Sequence, residues 1–166
     1  MNVAIHLSTL ISHYNENRFI DAYEYILPRW PKSPQHWPEL DVALLCHGAR
    51  LAQRLGSAKL CHHLYDLAWA RDPQHPLVRI FARFTWRRPF DLTRVVEDFA
   101  TAPEIATEDE QLRADWYASN AHLFAIMRDF SQARKLLVRA REHAVTDRAW
   151  LECVEAEIAL ADDDWK

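Results

Sequence analysis

Apolar and small residues recur every three or four positions from Arg113 to Val145. This spacing places them on one face of a helix, and it predicts two helices joined by a short turn near Asp129. Ala121 and Ala133, each in the middle of its helix, let the two axes approach closely while aromatic side chains fill the remaining space. The stretch therefore predicts an antiparallel helical hairpin. Its core-facing positions are Tyr117, Ala121, Phe124, Phe130, Ala133, Leu137 and Ala140.

The same pattern recurs along the chain and is interrupted at prolines. It predicts an all-α protein built from antiparallel helix hairpins, with units at roughly 2–30, 39–73, 75–101, 108–145 and 147–166. Residues 28–38 hold four prolines, and proline is excluded from the interior of a helix or a central strand. This segment is predicted to be an extended connector. Thr107 and Glu110 have the spacing of a capping box at the start of the long fourth-unit helix.

Composition agrees with a helical protein of about one domain. The 166 residues include two glycines and eight prolines, and 49% are hydrophobic, whereas β-hairpin folds need more glycine-bearing turns. The net charge of −4 argues against a general nucleic-acid binder, which usually carries a basic balance. A chain with only two glycines cannot contain a glycine-rich phosphate-binding loop.

The fourth unit has an aromatic residue early and late in its first helix, an Arg-Asp-Phe turn and alanines in its second helix. In these positions it resembles the tetratricopeptide repeat (TPR) family. The matching residues are Tyr117, Ala121, Phe124, Arg128, Asp129, Phe130, Ala133 and Ala140. The resemblance implies one domain over residues 1–166, an α-solenoid of about four and a half repeats with a right-handed superhelical course. It also implies that the array continues, or is capped, beyond residue 166.

In repeats of this kind the first helix of each pair lines a concave groove. Carried onto this chain, that geometry gives a set of candidate peptide-binding residues. They are Tyr14, Asn15, His47, Arg50, Arg54, Arg79, Trp86, Ser119 and His122. The arginines among them are suited to a carboxylate or an acidic peptide through charge-assisted hydrogen bonds. Trp30 and Trp37, in the proline-rich connector, either form a secondary interface or pin the connector onto the chain's own helices.

Metal binding and catalysis find little support in the sequence. Cys46, Cys61 and their neighbouring histidines are of the types that bind zinc, but successive helical residues point about 100° apart, so these side chains do not converge. No nucleophile stands beside a base in a recognisable motif. The sequence thus predicts no metal, no cofactor and no catalytic residue.

The function expected is a non-catalytic scaffold that binds a peptide or protein segment in its groove. Two other interpretations stay open: a regulatory or docking N-terminal domain of a larger enzyme, and a helical-repeat RNA binder. A homodimer formed through the C-terminal helix is a further expectation. The sequence has no run of about 18 apolar residues and no signal-peptide pattern, so a cytoplasmic protein without membrane contact is expected.

Overall fold

A computed structural model describes residues 5–82, 92–145 and 148–162, of which 92–95 and 148–150 are described by their backbone alone. Every regular element within those ranges is a helix, and they contain no strand. The predicted all-α class is confirmed. Contacts divide the chain into two compact units, Met1–Phe90 and Asp91–Lys166, which we call the N-terminal unit and the C-terminal unit.

The N-terminal unit is organised around α3, which packs against α1, α2, α4 and α5. Its described helices are α1 Leu7–Asn15, α2 Phe19–Ile26, a 3₁₀ helix Pro34–Glu39, α3 Val42–Arg54, α4 Ala58–Arg71 and α5 Pro76–Phe81. The carboxylate of Asp41 caps the start of α3, because it accepts hydrogen bonds from the backbone N–H groups of Ala43 (2.8 Å) and Leu44 (3.3 Å). Most of α3 after this cap is buried.

The C-terminal unit contains α6 Leu92–Thr101, α7 Glu110–Ile126, α8 Phe130–His143 and α9 Arg148–Asp162. The long helix α7 packs against both α8 and α9, and its Trp116 and Tyr117 are fully buried. The N-cap of α7 is Asp109, whose carboxylate accepts from the backbone of Gln111 and Leu112. The predicted capping box beginning at Thr107 is therefore wrong, since the N-cap lies two residues further along the chain.

Three helix pairs are joined by the same turn. After α1, α3 and α7 the chain enters the left-handed region at Asn17 (φ 59°), Gly56 (φ 79°) and Arg128 (φ 62°). At each turn the next residue's N–H bonds the carbonyl five positions back, as in Ser57 to Ala52 at 2.8 Å. This is the Schellman arrangement, which satisfies carbonyls left free at a helix end. One local geometry thus reverses the chain between α1 and α2, between α3 and α4, and between α7 and α8.

The proline-rich connector is not extended throughout. Residues Pro34–Glu39 form a 3₁₀ helix, with Pro34 at its start and Pro38 inside it. Proline fits the first helical turn because its fixed φ is helical and the missing N–H has no intrahelical partner there. The prediction that residues 28–38 are extended is therefore wrong for residues 34–38.

Candidate functional site

The side chain of Arg50, on α3, lies between two aromatic rings. Its guanidinium carbon is 4.4 Å from the centroid of the Tyr14 ring on α1 and 4.3 Å from that of Phe81 on α5. A guanidinium group is attracted to the negative face of an aromatic ring and stacks on it. Arg50 is half-buried, so the two rings hold this charge in one place without removing it from water.

Arg54 lies one helical turn further along α3 and shares Tyr14 with Arg50. Its Nε donates a hydrogen bond to the Tyr14 hydroxyl at 3.2 Å, and its guanidinium carbon is 5.8 Å from the centroid of the Phe19 ring on α2. The Phe19 ring in turn meets Tyr14 edge-on, at 5.3 Å between centroids. These contacts orient Arg54, although its side chain is exposed.

We call Tyr14, Phe19, Arg50, Arg54 and Phe81 the arginine–aromatic cluster. Over the part of the chain that the structure describes, neither arginine of the cluster forms an ion pair with an Asp or Glu side chain. Two fixed positive charges therefore meet solvent beside aromatic surface. Such a pair can bind a carboxylate, or two neighbouring carboxylates, through charge-assisted hydrogen bonds.

Two predicted site residues near the cluster lie in the interior. His47 and Arg79 are each only 7% exposed, so neither presents its side chain at a surface. Burial, together with the nearby charge of Arg50 and the imidazole of His75, lowers the pKa of His47 to about 4. The imidazole is thus neutral at pH 7, and its Nδ1 has no hydrogen-bond partner among the described residues.

The remaining predicted groove residues are scattered. Asn15 is the exposed last residue of α1, next to Tyr14 in sequence. Ser119 and His122 belong to the C-terminal unit: Ser119 is buried on α7, and Nδ1 of His122 lies 2.7 Å from Oε2 of Glu157 on α9. Trp86 lies outside the described residues. Of the nine predicted residues, the structure brings together Tyr14, Arg50 and Arg54 at one exposed place.

The connector tryptophans pack on the N-terminal unit itself. Trp37 donates its indole N–H to the Pro31 carbonyl at 2.8 Å and meets Trp30 edge-on, at 6.1 Å between ring centroids. Trp30 lies so close to Gly48 of α3 that a Cβ built at that glycine would be 3.0 Å from the indole ring. Both tryptophans are half-buried and pin the connector to α3 and its neighbours.

Sequence reasoning did not assign Phe19 and Phe81 to the site. Both are aromatic residues at the end of a helix, where a core-facing role is the simplest interpretation. Their role at the site depends on the packing of α2 and α5 against α3. Helical periodicity along the chain does not reveal which helices pack together. The signal that could have indicated them is a pair of arginines one turn apart on a helix that is flanked by two helices with terminal phenylalanines.

Charged side chains in the C-terminal unit are arranged differently. The buried Tyr117 donates its hydroxyl hydrogen bond to Oε2 of Glu104, and Arg139 bonds the other oxygen of the same carboxylate at 2.7 Å. The guanidinium carbon of Arg139 also lies 4.4 Å from the centroid of the Tyr117 ring. These bonds lower the pKa of Glu104, the one from Tyr117 most, while burial and the bond to Glu104 raise the pKa of Tyr117 to about 12. We call Glu104, Tyr117 and Arg139 the paired-charge network.

Other arginines of this unit are also paired. Arg113 bonds Glu110 at 2.8 Å, and Arg134 and Arg141, on α8, form ion pairs with Asp162 and Glu155 of α9. Arg134 and Arg141 also line a cleft of about 300 Å³ between the two helices. Because each is already bonded to a carboxylate, these side chains have less capacity to bind an acidic ligand.

Formal charge is distributed unevenly between the units. Residues 1–90 carry 11 Lys and Arg against 7 Asp and Glu, which gives +4, and residues 91–166 carry 9 against 17, which gives −8. Arg50 and Arg54 thus lie in the positive half of the chain. An acidic ligand is attracted to that half and repelled by the other.

Little in the described residues suggests other chemistry. Burial raises the pKa of the Cys46 thiol to about 12, so this group is protonated and unreactive at neutral pH. Across residues 5–82, 92–145 and 148–162 there is no group of three or more His, Cys, Asp or Glu side chains that could hold a metal ion. Those ranges also contain no helix with the length and apolarity required to cross a membrane. Comparisons with protein-family models, with curated proteins and with solved structures found no match to this chain.

Proposed function

We propose that this chain is a non-catalytic scaffold that binds an acidic segment of a protein or peptide at the arginine–aromatic cluster. The ligand's carboxylates bond Arg50 and Arg54, and Tyr14 supports both arginines from beneath. We also propose the finer architecture, a TPR-like solenoid of helix hairpins with a right-handed course. The same Schellman turn after α1, α3 and α7 supports a repeated hairpin unit.

The observation that supports the binding proposal is the set of contacts that Arg50 and Arg54 make. Both are held by aromatic side chains, and neither has an acidic partner among the described residues. A side chain that is oriented before binding loses less conformational entropy when a ligand arrives. Within the described ranges no intramolecular ion pair has to break first, so the full charge of both groups is available to the ligand.

Fluorescence anisotropy of a labelled glutamate-rich peptide tests this proposal. We expect Arg50→Glu/Arg54→Glu to weaken binding by about tenfold or more, since attraction becomes repulsion at both contacts. Arg134→Glu/Arg141→Glu is a matched control, because it makes the same change in net charge on two exposed arginines of α8 that are already paired. Circular dichroism checks that both variants stay helical. Equal weakening by the two variants would mean that net charge alone attracts the peptide, and the proposed site would be wrong.

A glutamine-rich peptide of the same length separates charge from backbone contacts. We expect wild type to bind it much more weakly than the glutamate-rich peptide, because the arginine contacts need an ionised carboxylate. The difference should shrink as salt is raised, since the cluster is partly solvent-exposed and is screened by ions. Equal affinity for both peptides would argue against recognition by Arg50 and Arg54.

A further inference from the structure

Helix α2 has an exposed apolar stripe. Ile20 and Tyr23 of this helix are 60% and 43% exposed, and Leu27, its C-cap residue with helical dihedral angles, is 55% exposed. Ala22 and Ile26 of the same helix are instead buried in the core of the N-terminal unit. Residues three and four apart lie on one side of a helix. The three exposed side chains therefore form a continuous stripe, which spans about 10 Å along the axis.

The stripe begins at the arginine–aromatic cluster. Tyr23 follows Phe19 by four residues, so the two side chains are neighbours on the surface of α2. Phe19 is the ring that lies against Arg54 and Tyr14. Apolar surface on α2 and positive charge on α3 therefore meet at Phe19 and present one composite surface.

An acidic side chain borders the stripe on its opposite side. At 100° per residue, Tyr23, Leu27 and Ile20 lie about 40°, 80° and 100° around α2 from Phe19, and Glu24 follows at about 140°. Glu24 is exposed and repels carboxylates from that side. A ligand with one acidic and one apolar side is thus oriented, with its carboxylates toward Arg54.

We infer that the acidic segment binds as an amphipathic helix whose apolar side lies on Ile20, Tyr23 and Leu27 and whose carboxylates reach Arg54 and Arg50. This inference rests on the proposed function and adds the conformation and the apolar half of the ligand. A helical ligand presents apolar residues at the same three- and four-residue intervals as the stripe, and it carries acidic residues along the adjacent edge. The charge of the two arginines selects an acidic helix over a basic one.

Two labelled peptides of identical composition test the inference. In the first, leucines and glutamates are ordered so that a helix has one apolar and one acidic side. In the second, the same residues are shuffled so that neither side forms. We expect wild type to bind the amphipathic peptide about tenfold more tightly than the shuffled one, and circular dichroism of the mixture to show a gain in helix.

Variants then locate the apolar contact. Ile20→Ser/Leu27→Ser should reduce the affinity for the amphipathic peptide to that for the shuffled one, while leaving the shuffled peptide's affinity unchanged. Val138→Ser/Leu160→Ser is the matched control, because these residues are 56% and 66% exposed on α8 and α9 and lie outside the stripe. The control should bind both peptides like wild type.

The outcomes distinguish this inference from the proposed function. If both peptides bind equally and both are weakened by Arg50→Glu/Arg54→Glu, the arginine site stands and the helical ligand is wrong. If neither peptide responds to the arginine variant, the proposed function itself fails. Sedimentation of the full chain supplies a third outcome. Self-association that Ile20→Ser/Leu27→Ser abolishes would show that a second copy covers the stripe, and would overturn the inference.

Discussion

Four arginines of the C-terminal unit pair with carboxylates, namely Arg113, Arg134, Arg139 and Arg141, whereas the two arginines of the cluster on α3 lie against aromatic rings. In the paired-charge network Arg139 shares the carboxylate of Glu104 with the buried Tyr117. In the arginine–aromatic cluster Arg54 bonds the hydroxyl of Tyr14, and it forms no ion pair with an Asp or Glu side chain among the described residues. The same pair of residue types, Arg and Tyr, thus stabilises the fold in one unit and leaves positive charge available in the other. The partner of an arginine, more than its exposure, thus decides its role in this chain.

The largest difference that we expect between the two units is in how their stability responds to a fall in pH. His47 is buried and neutral, with its pKa lowered to about 4 from an ordinary 6.5. Below pH 6.5 the His47 imidazole is protonated in the unfolded chain but stays neutral in the folded N-terminal unit. The free energy of unfolding of this unit therefore decreases as the pH falls from about 6.5 to about 4. The full loss is about 3 kcal/mol. The pKa of Glu104 is instead lowered from 4.5, so the stabilisation it gives the C-terminal unit persists down to that pH.

Protection factors for backbone amide exchange, measured by NMR at pH 7 and pH 5, check this difference. We expect protection in α3 to fall more than protection in α8. His47→Gln removes the titrating group, and its α3 should show no such preferential loss between the two pH values. Equal losses in α3 and α8 of wild type would show that His47 is not the group responsible.

Removing one tyrosine hydroxyl from each unit should have unequal effects on stability. Tyr117→Phe leaves the Glu104 carboxylate without its hydrogen bond from a buried hydroxyl, and we expect a loss of about 1.5 kcal/mol. Tyr14→Phe removes only a bond to an exposed arginine, and we expect less than about 0.5 kcal/mol. Urea unfolding measures both. A larger loss for Tyr14→Phe would reverse the comparison between the two sites.

The shared turn offers a smaller effect that should be similar in both units. Gly56 and Arg128 have positive φ, which costs a residue with a Cβ about 1 kcal/mol. We therefore expect Gly56→Ala to destabilise the N-terminal unit and Arg128→Gly to stabilise the C-terminal unit, each by about 1 kcal/mol. Thermal unfolding followed by circular dichroism checks the two signs. Destabilisation by Arg128→Gly would show that its side-chain contacts outweigh the backbone strain.

The elements and much of the core were predictable from the sequence because helical periodicity is a local property. Tyr117, Ala121, Ala133, Leu137 and Ala140 were predicted to face the core and are buried. Phe124 and Phe130 are only half-buried, since each lies near the turn between α7 and α8. The two local errors have a common cause. Each of these two predictions, a helix start at Thr107 and an extended segment over residues 34–38, rested on a single residue preference. In the structure the Asp109 carboxylate caps the helix instead, and the prolines are accommodated in a 3₁₀ helix.

The candidate site was only partly predictable because it joins residues that are distant in sequence. The TPR resemblance led to Tyr14, Arg50 and Arg54, which the structure places together. It also led to His47 and Arg79, which are buried. The position of a residue along a helix predicts the direction of its side chain, but it does not predict whether another helix covers that side chain. Nothing in the sequence pairs Glu104 with Arg139 or Arg50 with Phe81. Those pairs depend on how helices are placed against one another.

The most direct measurement compares Arg54→Glu with Arg139→Glu for peptide affinity and for free energy of unfolding in the same preparations. For Arg54→Glu we predict weaker binding of the glutamate-rich peptide, by about tenfold, with the free energy of unfolding within about 0.5 kcal/mol of wild type. For Arg139→Glu, which sets a second carboxylate beside Glu104, we predict unchanged affinity and a loss of about 1 kcal/mol or more. If Arg54→Glu destabilises the fold and leaves affinity intact, the division of roles between the two arginines is contradicted.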